Sequence, residues 1–154
     1  FEPKRRYWLK GEVDFSDTSF DPFSAQVVRE GTDATIVAYG PLVPVALAAA
    51  EAAVEDGRSI EVIDLRSISP LDVPTVAASV AKTGRLIVAH EAPTFGGMGG
   101  ELAAAITERC FYSLQAPVIR VGGYYMPYPV SCVEEEYVPD IDRILEAVDR
   151  AFDY

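Results

Sequence analysis

Residues 35–56 read TIVAYGPLVPVALAAAEAAVED, a short apolar run followed by a longer alanine-rich one. The first run, Thr35 to Tyr39, is rich in the β-branched and aromatic residues that favour strands. A glycine and a proline interrupt it, and the alanine-rich stretch from Leu42 to Asp56 then favours a helix. The stretch therefore predicts one strand followed by one helix, a unit from which α/β folds are built.

The same alternation continues along the chain. Further strands are predicted at 60–65, 86–89 and 118–121, and further helices through Val80, near Leu102 to Cys110 and after Pro139. Parallel strands need long crossovers, usually helical, and these cover both faces of the sheet. We therefore predict an α/β fold with three layers, α/β/α, around a mainly parallel sheet of five strands. Val27 and Val28 are predicted to add an antiparallel edge strand.

Two aspartates mark predicted helix starts. A helix begun at Ser69 would place Pro74 in its interior at a cost of roughly 3 kcal/mol, so Asp72 is the better cap. Asp140 is predicted to cap the last helix, which docks on the sheet. The predicted inward face of that helix consists of Ile141, Ile144, Leu145, Val148 and Phe152.

The chain divides into an arm and one domain. Residues 1–33 mix prolines, charges and scattered aromatics, which predicts an extended N-terminal arm. Residues 34–154 hold the alternating pattern and predict a single domain. Because the sequence starts with Phe1 rather than methionine, we expect a fragment of a longer subunit.

Composition narrows the class of partner. The chain carries 13 basic and 24 acidic residues, a net charge of -11. Such a surface repels phosphate backbones and anionic membranes, so neither nucleic acid nor membrane is expected as a partner. The apolar runs are shorter than the roughly 20 residues that span a bilayer. Two cysteines without metal or redox spacing are typical of reduced thiols in a cytoplasmic protein.

Four glycines, Gly96, Gly97, Gly99 and Gly100, lie between a predicted strand and a predicted helix. Backbone amides in this position can hold an anion. The spacing differs from the dinucleotide-binding fingerprint, however, and Glu101 puts negative charge where a phosphate would lie. Phosphate binding stays open as an alternative, but the glycines favour a tight turn that allows close packing on the sheet or on another subunit.

His90 and Glu91 come at the predicted end of the third strand, the side of the sheet where open α/β folds place ligands. Adjacent strand residues point to opposite faces, so Glu91 is poorly placed to orient His90 as a general base. Both are predicted to make polar contacts at a subunit interface or sheet edge instead.

An acidic run, Glu134, Glu135 and Glu136, lies near the last helix. Without a nearby histidine or a regular loop of oxygen ligands, it does not predict a metal site. A solvated face is the default interpretation, and contact with a basic partner is the alternative.

Six segments together carry a family resemblance. They read FEPKRRY (1–7), VVREGTDATIVAYG (27–40), IEVIDLRSISPLD (60–72), KTGRLIVAHEAPTFGGMGGELAAAI (82–106), LQAPVIRVGGYYMPYP (114–129) and VPDIDRILEAV (138–148). In order and spacing the chain resembles the transketolase-type C-terminal domain of the β subunit of thiamine-diphosphate-dependent 2-oxo acid dehydrogenases. The segments at 90–93 and 123–129 resemble the branched-chain type more than the pyruvate type.

The resemblance implies an enzyme that binds thiamine diphosphate with magnesium between α and β subunits, decarboxylates a 2-oxo acid and passes the acyl group to a lipoyl arm. In that family the cofactor-binding β residues lie in the preceding domain, so this chain alone is expected to hold no catalytic, cofactor or metal site. It is expected to join an α subunit and a second β subunit in an α2β2 heterotetramer. It is also expected to dock the peripheral subunit-binding domain of the dihydrolipoyl acyltransferase. The implied location is the bacterial cytoplasm or the mitochondrial matrix.

The family's docking surface includes an acidic residue in a Leu-Glu-Ala-Pro segment and the carboxylate of an aromatic C-terminal residue. This sequence has Gln115 in the acidic position and Tyr154 as its aromatic last residue. The missing charge is expected to weaken docking by roughly 1–3 kcal/mol if the pair is buried, with residues 134–136 as the compensating charges. Two alternatives stay open: a free-standing flavodoxin-like domain that binds a small ligand or nucleotide, and the same domain from a pyruvate dehydrogenase β subunit.

Overall fold

The computed structural model describes Tyr7, residues 10–12, Ser16 and residues 21–154. Most of the predicted N-terminal arm lies outside these residues, so the arm stays a prediction. The described residues include five strands: β1 (Gln26–Arg29), β2 (Ala34–Ala38), β3 (Ile60–Asp64), β4 (Leu86–Pro93) and β5 (Ile119–Gly123).

The five strands form one sheet in the spatial order β1-β3-β2-β4-β5. β1 pairs with β3 in antiparallel register, and the other neighbouring strands are parallel. The prediction of a mainly parallel five-stranded sheet with an antiparallel edge strand at Val27 and Val28 is therefore confirmed.

Helices cover both faces of this sheet. They are α1 (Leu42–Ala52), α2 (Val73–Thr83), α3 (Met98–Cys110), the short α4 (Glu134–Tyr137) and α5 (Ile141–Phe152). One apolar cluster joins α1 and α5 to one face of the sheet, and a second joins α2 and α3 to the other. The three-layer prediction is confirmed. None of the helices described here is long and apolar enough to cross a bilayer.

Both predicted helix caps are present. The carboxylate of Asp72 accepts a hydrogen bond from the backbone N–H of Thr75 at 3.1 Å. That of Asp140 accepts one from the N–H of Arg143 at 2.9 Å. Each cap satisfies a backbone donor that has no partner within its helix, which fixes where the helix begins.

Several predicted boundaries were inaccurate, and those of the strands predicted at 35–39 and 60–65 differ by one residue from the observed 34–38 and 60–64. The helix predicted over 42–56 changes to a 3-10 turn after Ala52 and closes at Gly57, whose φ of 74° suits glycine. β4 continues to Pro93, so His90 and Glu91 lie within the strand rather than at its end. The last predicted strand occupies 119–123 rather than 118–121. α3 begins at Met98, earlier than predicted, because the extended backbone of Gly97 caps it.

The predicted inward face of α5 was partly wrong. Ile141 is exposed, because it occupies the first position of the helix, where the chain enters from solvent. The buried residues of α5 are Ile144, Ala147, Val148 and Ala151.

Candidate functional site

An open groove of about 1340 Å³ runs along the outer face of α3 and reaches the last residue of the chain. Its lining includes both Gln115 and Tyr154. We call this feature the C-terminal groove. The fold therefore brings together the two residues that the family resemblance singles out.

Contacts of Arg85 explain why these two residues line the same groove. Its Nη1 donates to Oε1 of Gln115 at 2.6 Å, and its Nε donates to the carbonyl oxygen of Ala151 in α5 at 2.9 Å. Its guanidinium carbon lies 4.5 Å from the ring centroid of Phe152. The backbone N–H of Gln115 also donates to the carbonyl of Gly84 at 2.8 Å. One arginine thus ties the segment around residue 115 to the end of α5.

This arrangement limits what Gln115 offers a partner. Its side-chain oxygen already accepts a hydrogen bond from Arg85, and the rest of its amide group donates. A donor does not attract a cationic group. The anionic side chain in the lining of the C-terminal groove is Glu108, and Arg120 is the cationic one.

The groove also offers an apolar surface. Phe111 lines it with 64% of its surface exposed, and Tyr154 is 75% exposed. Exposed aromatic side chains beside a concave surface are typical of protein interfaces, where they supply much of the binding energy. The geometry therefore fits a protein partner better than a small ligand.

Sequence reasoning missed the contribution of α3 to this groove. Gly100, Ala104, Thr107, Glu108 and Phe111 recur at three- and four-residue spacing and share one helix face. The three- and four-residue spacing of these residues is visible in the sequence of the predicted helix near 102–110. This spacing predicts one shared helix face, but it does not predict that the face lines a groove.

The acidic run lies elsewhere. Glu134, Glu135 and Glu136 form α4, and none of them lines the C-terminal groove. The hydroxyl of Tyr128 donates to the carboxylate of Glu134. The structure therefore does not bring the acidic run to Gln115 and Tyr154, and a compensating role in docking stays a prediction.

The glycine-rich stretch packs tightly on β4. A Cβ at Gly97 would lie 2.3 Å from the carbonyl oxygen of Pro93 and 2.7 Å from Cε1 of His90. A Cβ at Gly99 would lie 2.6 Å from Nε2 of the same histidine. Glycine is favoured at position 96 for a different reason: its φ of 71° is a backbone conformation that other residues rarely adopt. Close approach of α3 to the strand accounts for Gly97 and Gly99 without a bound phosphate.

His90 is fully buried beneath these glycines. Its Nδ1 lies 2.8 Å from the carbonyl oxygen of Ala92, which only accepts, so Nδ1 carries the proton. Nε2 is then an acceptor, and it has no hydrogen-bond partner among the described residues. The ring of Tyr39 stacks on the imidazole with centroids 6.2 Å apart. Burial, with a further contribution from the Arg120 charge, lowers the pKa of His90 below 6.5.

The buried histidine predicts a pH effect on stability. The unfolded chain binds a proton near pH 6.5, whereas the folded chain resists it, so unfolding becomes easier as pH falls below that value. We expect the free energy of unfolding to fall as the pH is lowered from 7 to 5. Substitution His90→Gln should flatten this part of the profile, as measured by urea denaturation. An unchanged slope between pH 7 and 5 in the His90→Gln variant would contradict the assignment to His90.

Comparison with known proteins identifies similar chains. The family model described as "Transketolase, C-terminal domain" matches residues 24–144. A pyruvate dehydrogenase E1 component subunit beta of Leifsonia xyli is 55% identical over 154 residues, which are 100% of this chain and 46% of that one. A 3-methyl-2-oxobutanoate dehydrogenase subunit beta of Mycobacterium tuberculosis is 49% identical over 97% of this chain and 43% of that one.

A solved structure shares the fold, and its match also covers nearly all of this chain but less than half of the other. It is described as "Split gene transketolase, inactive beta4 tetramer", with a TM-score of 0.74 and 30% sequence identity. The similarity covers 93% of this chain and 46% of that one. The chain spans less than half the length of the relatives named above.

Proposed function

This chain belongs to the family of transketolase C-terminal domains, and we propose that it acts as the assembly and docking domain of the β subunit of a 2-oxo acid dehydrogenase. The observation that carries the proposal is the C-terminal groove, in which Gln115 and Tyr154 lie beside an exposed aromatic ring and a carboxylate. The whole enzyme would decarboxylate a 2-oxo acid oxidatively and transfer the acyl group to lipoyl. By itself the chain would catalyse no reaction.

The cofactor belongs to the whole enzyme in this proposal. The described residues contain no group of three or more histidine, cysteine, aspartate or glutamate side chains that could hold a metal ion. Thiamine diphosphate and magnesium are accordingly proposed to be held by the rest of the whole enzyme, and no chemical step is assigned to these residues. The proposed location is the bacterial cytoplasm or the mitochondrial matrix; relatives of Dictyostelium discoideum and Arabidopsis thaliana are named as mitochondrial.

The finer proposal is a branched-chain substrate. It is supported by the segments at 90–93 and 123–129 and by the relatives named for 3-methyl-2-oxobutanoate or 2-oxoisovalerate. The 55% identical relative is named for pyruvate, which is the competing substrate. Turnover of 2-oxoisovalerate against pyruvate by the full-length enzyme would separate the two.

Assembly is proposed to use the aromatic end of the sheet. Phe95 is 70% exposed and Tyr125 is 78% exposed, with their ring centroids 4.7 Å apart. Met126 and Val130, which follow Tyr125 in the chain, are exposed as well. A surface of this kind normally lies against another chain, here the α subunit or a second β subunit. Sedimentation of the chain with and without the α subunit tests this, since no change in size would contradict it.

Docking is proposed to occur in the C-terminal groove, with the basic subunit-binding domain of the dihydrolipoyl acyltransferase as partner. The net charge of -11 favours association with a basic protein, and electrostatic attraction raises the association rate more than the final affinity. The aromatic side chains of Phe111 and Tyr154 then supply contact area that does not depend on salt.

Glu108→Gln tests this location of docking. Because Glu108 lines the groove and is exposed, we expect its neutralisation to weaken binding of the subunit-binding domain about three- to fivefold, and more at low salt. The matched control is Glu135→Gln, which removes the same charge outside the groove. Calorimetric titration of both variants measures the difference. A loss confined to Glu135→Gln would move the docking site to the acidic run.

A further inference from the structure

A second cavity, of about 280 Å³, lies at the carboxyl end of β5 beside α5. Three arginines line it: Arg120 from β5, and Arg143 and Arg150 from α5. The chain has 13 basic residues against 24 acidic ones, so three at one small cavity is an unusual concentration of positive charge. We call this feature the arginine cavity.

Backbone carbonyls hold two of these side chains in place. Arg143 donates from Nη1 to the carbonyl of Tyr137 at 3.1 Å and from Nη2 to the carbonyl of Gly122. Its guanidinium carbon lies 4.6 Å from the ring centroid of Tyr124. Arg120 donates from Nη1 to the carbonyl of Thr94 at 3.0 Å. Carbonyl acceptors orient a guanidinium without cancelling its charge, and each group has further N–H donors to offer.

The positive charge of the cavity is not balanced locally. The ion pairs between arginine and carboxylate at Arg29 and Arg58 lie outside this cavity. Glu146 also lines the cavity, but no salt bridge joins it to any of the three arginines. The lining therefore carries an excess of positive charge in a protein that is otherwise strongly acidic.

We propose that the arginine cavity binds the phosphate dianion of a small molecule. The planar fork of a guanidinium matches phosphate oxygens in a bidentate way, which explains arginine rather than lysine at all three positions. The volume is at the lower limit for ligand sites and suits a phosphate group with a short substituent, not a dinucleotide. Gly96, Gly97, Gly99 and Gly100 do not line this cavity. The cavity shares Arg120 with the C-terminal groove and Tyr125 with the proposed assembly surface, but phosphate binding does not rest on the docking proposal.

Titration of inorganic phosphate into the full 154-residue chain tests the proposal. We expect saturable binding that Arg150→Gln weakens about tenfold, since a charge-assisted contact is lost. The matched control is Arg109→Gln: both arginines are exposed and both lie in the last turn of their helices, but Arg109 does not line the cavity. Glu146→Gln should strengthen binding severalfold, because it removes the negative charge of the lining.

Titrations of glycerol phosphate and succinate are compared with the titration of inorganic phosphate. Tighter binding of glycerol phosphate than of inorganic phosphate would identify a phosphate ester as the ligand, and equal binding would identify free phosphate. Equal binding of succinate would overturn the assignment to phosphate. The proposal would also be overturned by the absence of saturable phosphate binding, or by equal losses in Arg150→Gln and Arg109→Gln with unchanged circular dichroism.

Discussion

Replacing Lys82 with methionine is expected to lower the free energy of unfolding by about 3 kcal/mol. Glu61, on β3, the second strand from the edge of the sheet, has a fully buried side chain, and one carboxylate oxygen contacts Nζ of Lys82. The other oxygen has no hydrogen-bond partner among the described residues. Without the lysine, the buried carboxylate would lose its compensating charge. The partial exposure of Lys82, 43% of its side chain, keeps the effect at the lower end of the usual range.

Denaturation of three further variants makes this prediction specific. The double variant Lys82→Met with Glu61→Gln should recover most of the lost stability, because no buried charge is left to compensate. Lys10→Met, at an exposed position, serves as the control for loss of a lysine. The hydrogen bond that Lys82 donates to Glu61 raises the pKa of Lys82 above 10.5, so the contribution of the lysine charge is present at neutral pH and is lost as the pH rises above that value. If the single and double variants unfold alike, Glu61 does not depend on Lys82.

Gly97→Ala is expected to destabilise the chain by about 2–3 kcal/mol. The added Cβ would lie 2.3 Å from a backbone oxygen of β4, which is below any normal contact distance, so α3 would have to move away from the strand. His90 is fully buried at the same place and has no room to retreat.

Gly100→Ala provides the matched control in the same stretch. Its Cβ would meet only Nη1 of Arg120 at 3.6 Å, an ordinary contact, and alanine favours a helix over glycine by about 1 kcal/mol. We therefore expect Gly100→Ala to leave stability unchanged or to raise it slightly. Thermal unfolding of both variants measures the contrast, and similar losses in the two would show that the close packing around His90 has been misassigned.

The helix start at Asp72 and the three layers of the fold could be predicted from residues that are close together in the sequence. Asp72 could be chosen as a cap because Pro74 excludes an earlier start, and the alternation of strands and helices predicted the layers. Glu61 could not be predicted as buried, because its charge partner Lys82 lies on a different element. From the sequence, the run 60–64 indicates only a strand with two acidic positions, Glu61 and Asp64.

The candidate site was predictable only through family resemblance. Gln115 and Tyr154 line the same groove because Arg85 contacts both the segment around 115 and the end of α5. Contacts between elements so distant in sequence cannot be predicted from a local pattern. The arginine cavity was missed for the same reason, since Arg120 and Arg143 come from elements that are distant in sequence. Periodicity identifies the faces of elements, but the pairing of those faces depends on tertiary packing.

The most direct test is a calorimetric titration of the acyltransferase subunit-binding domain from the same organism into this chain, intact and without Tyr154. The docking proposal predicts salt-sensitive binding by the intact chain, and about tenfold weaker binding once the aromatic side chain of Tyr154 is removed from the groove. Equal affinity of the two forms, or no binding by either, would contradict docking in the C-terminal groove.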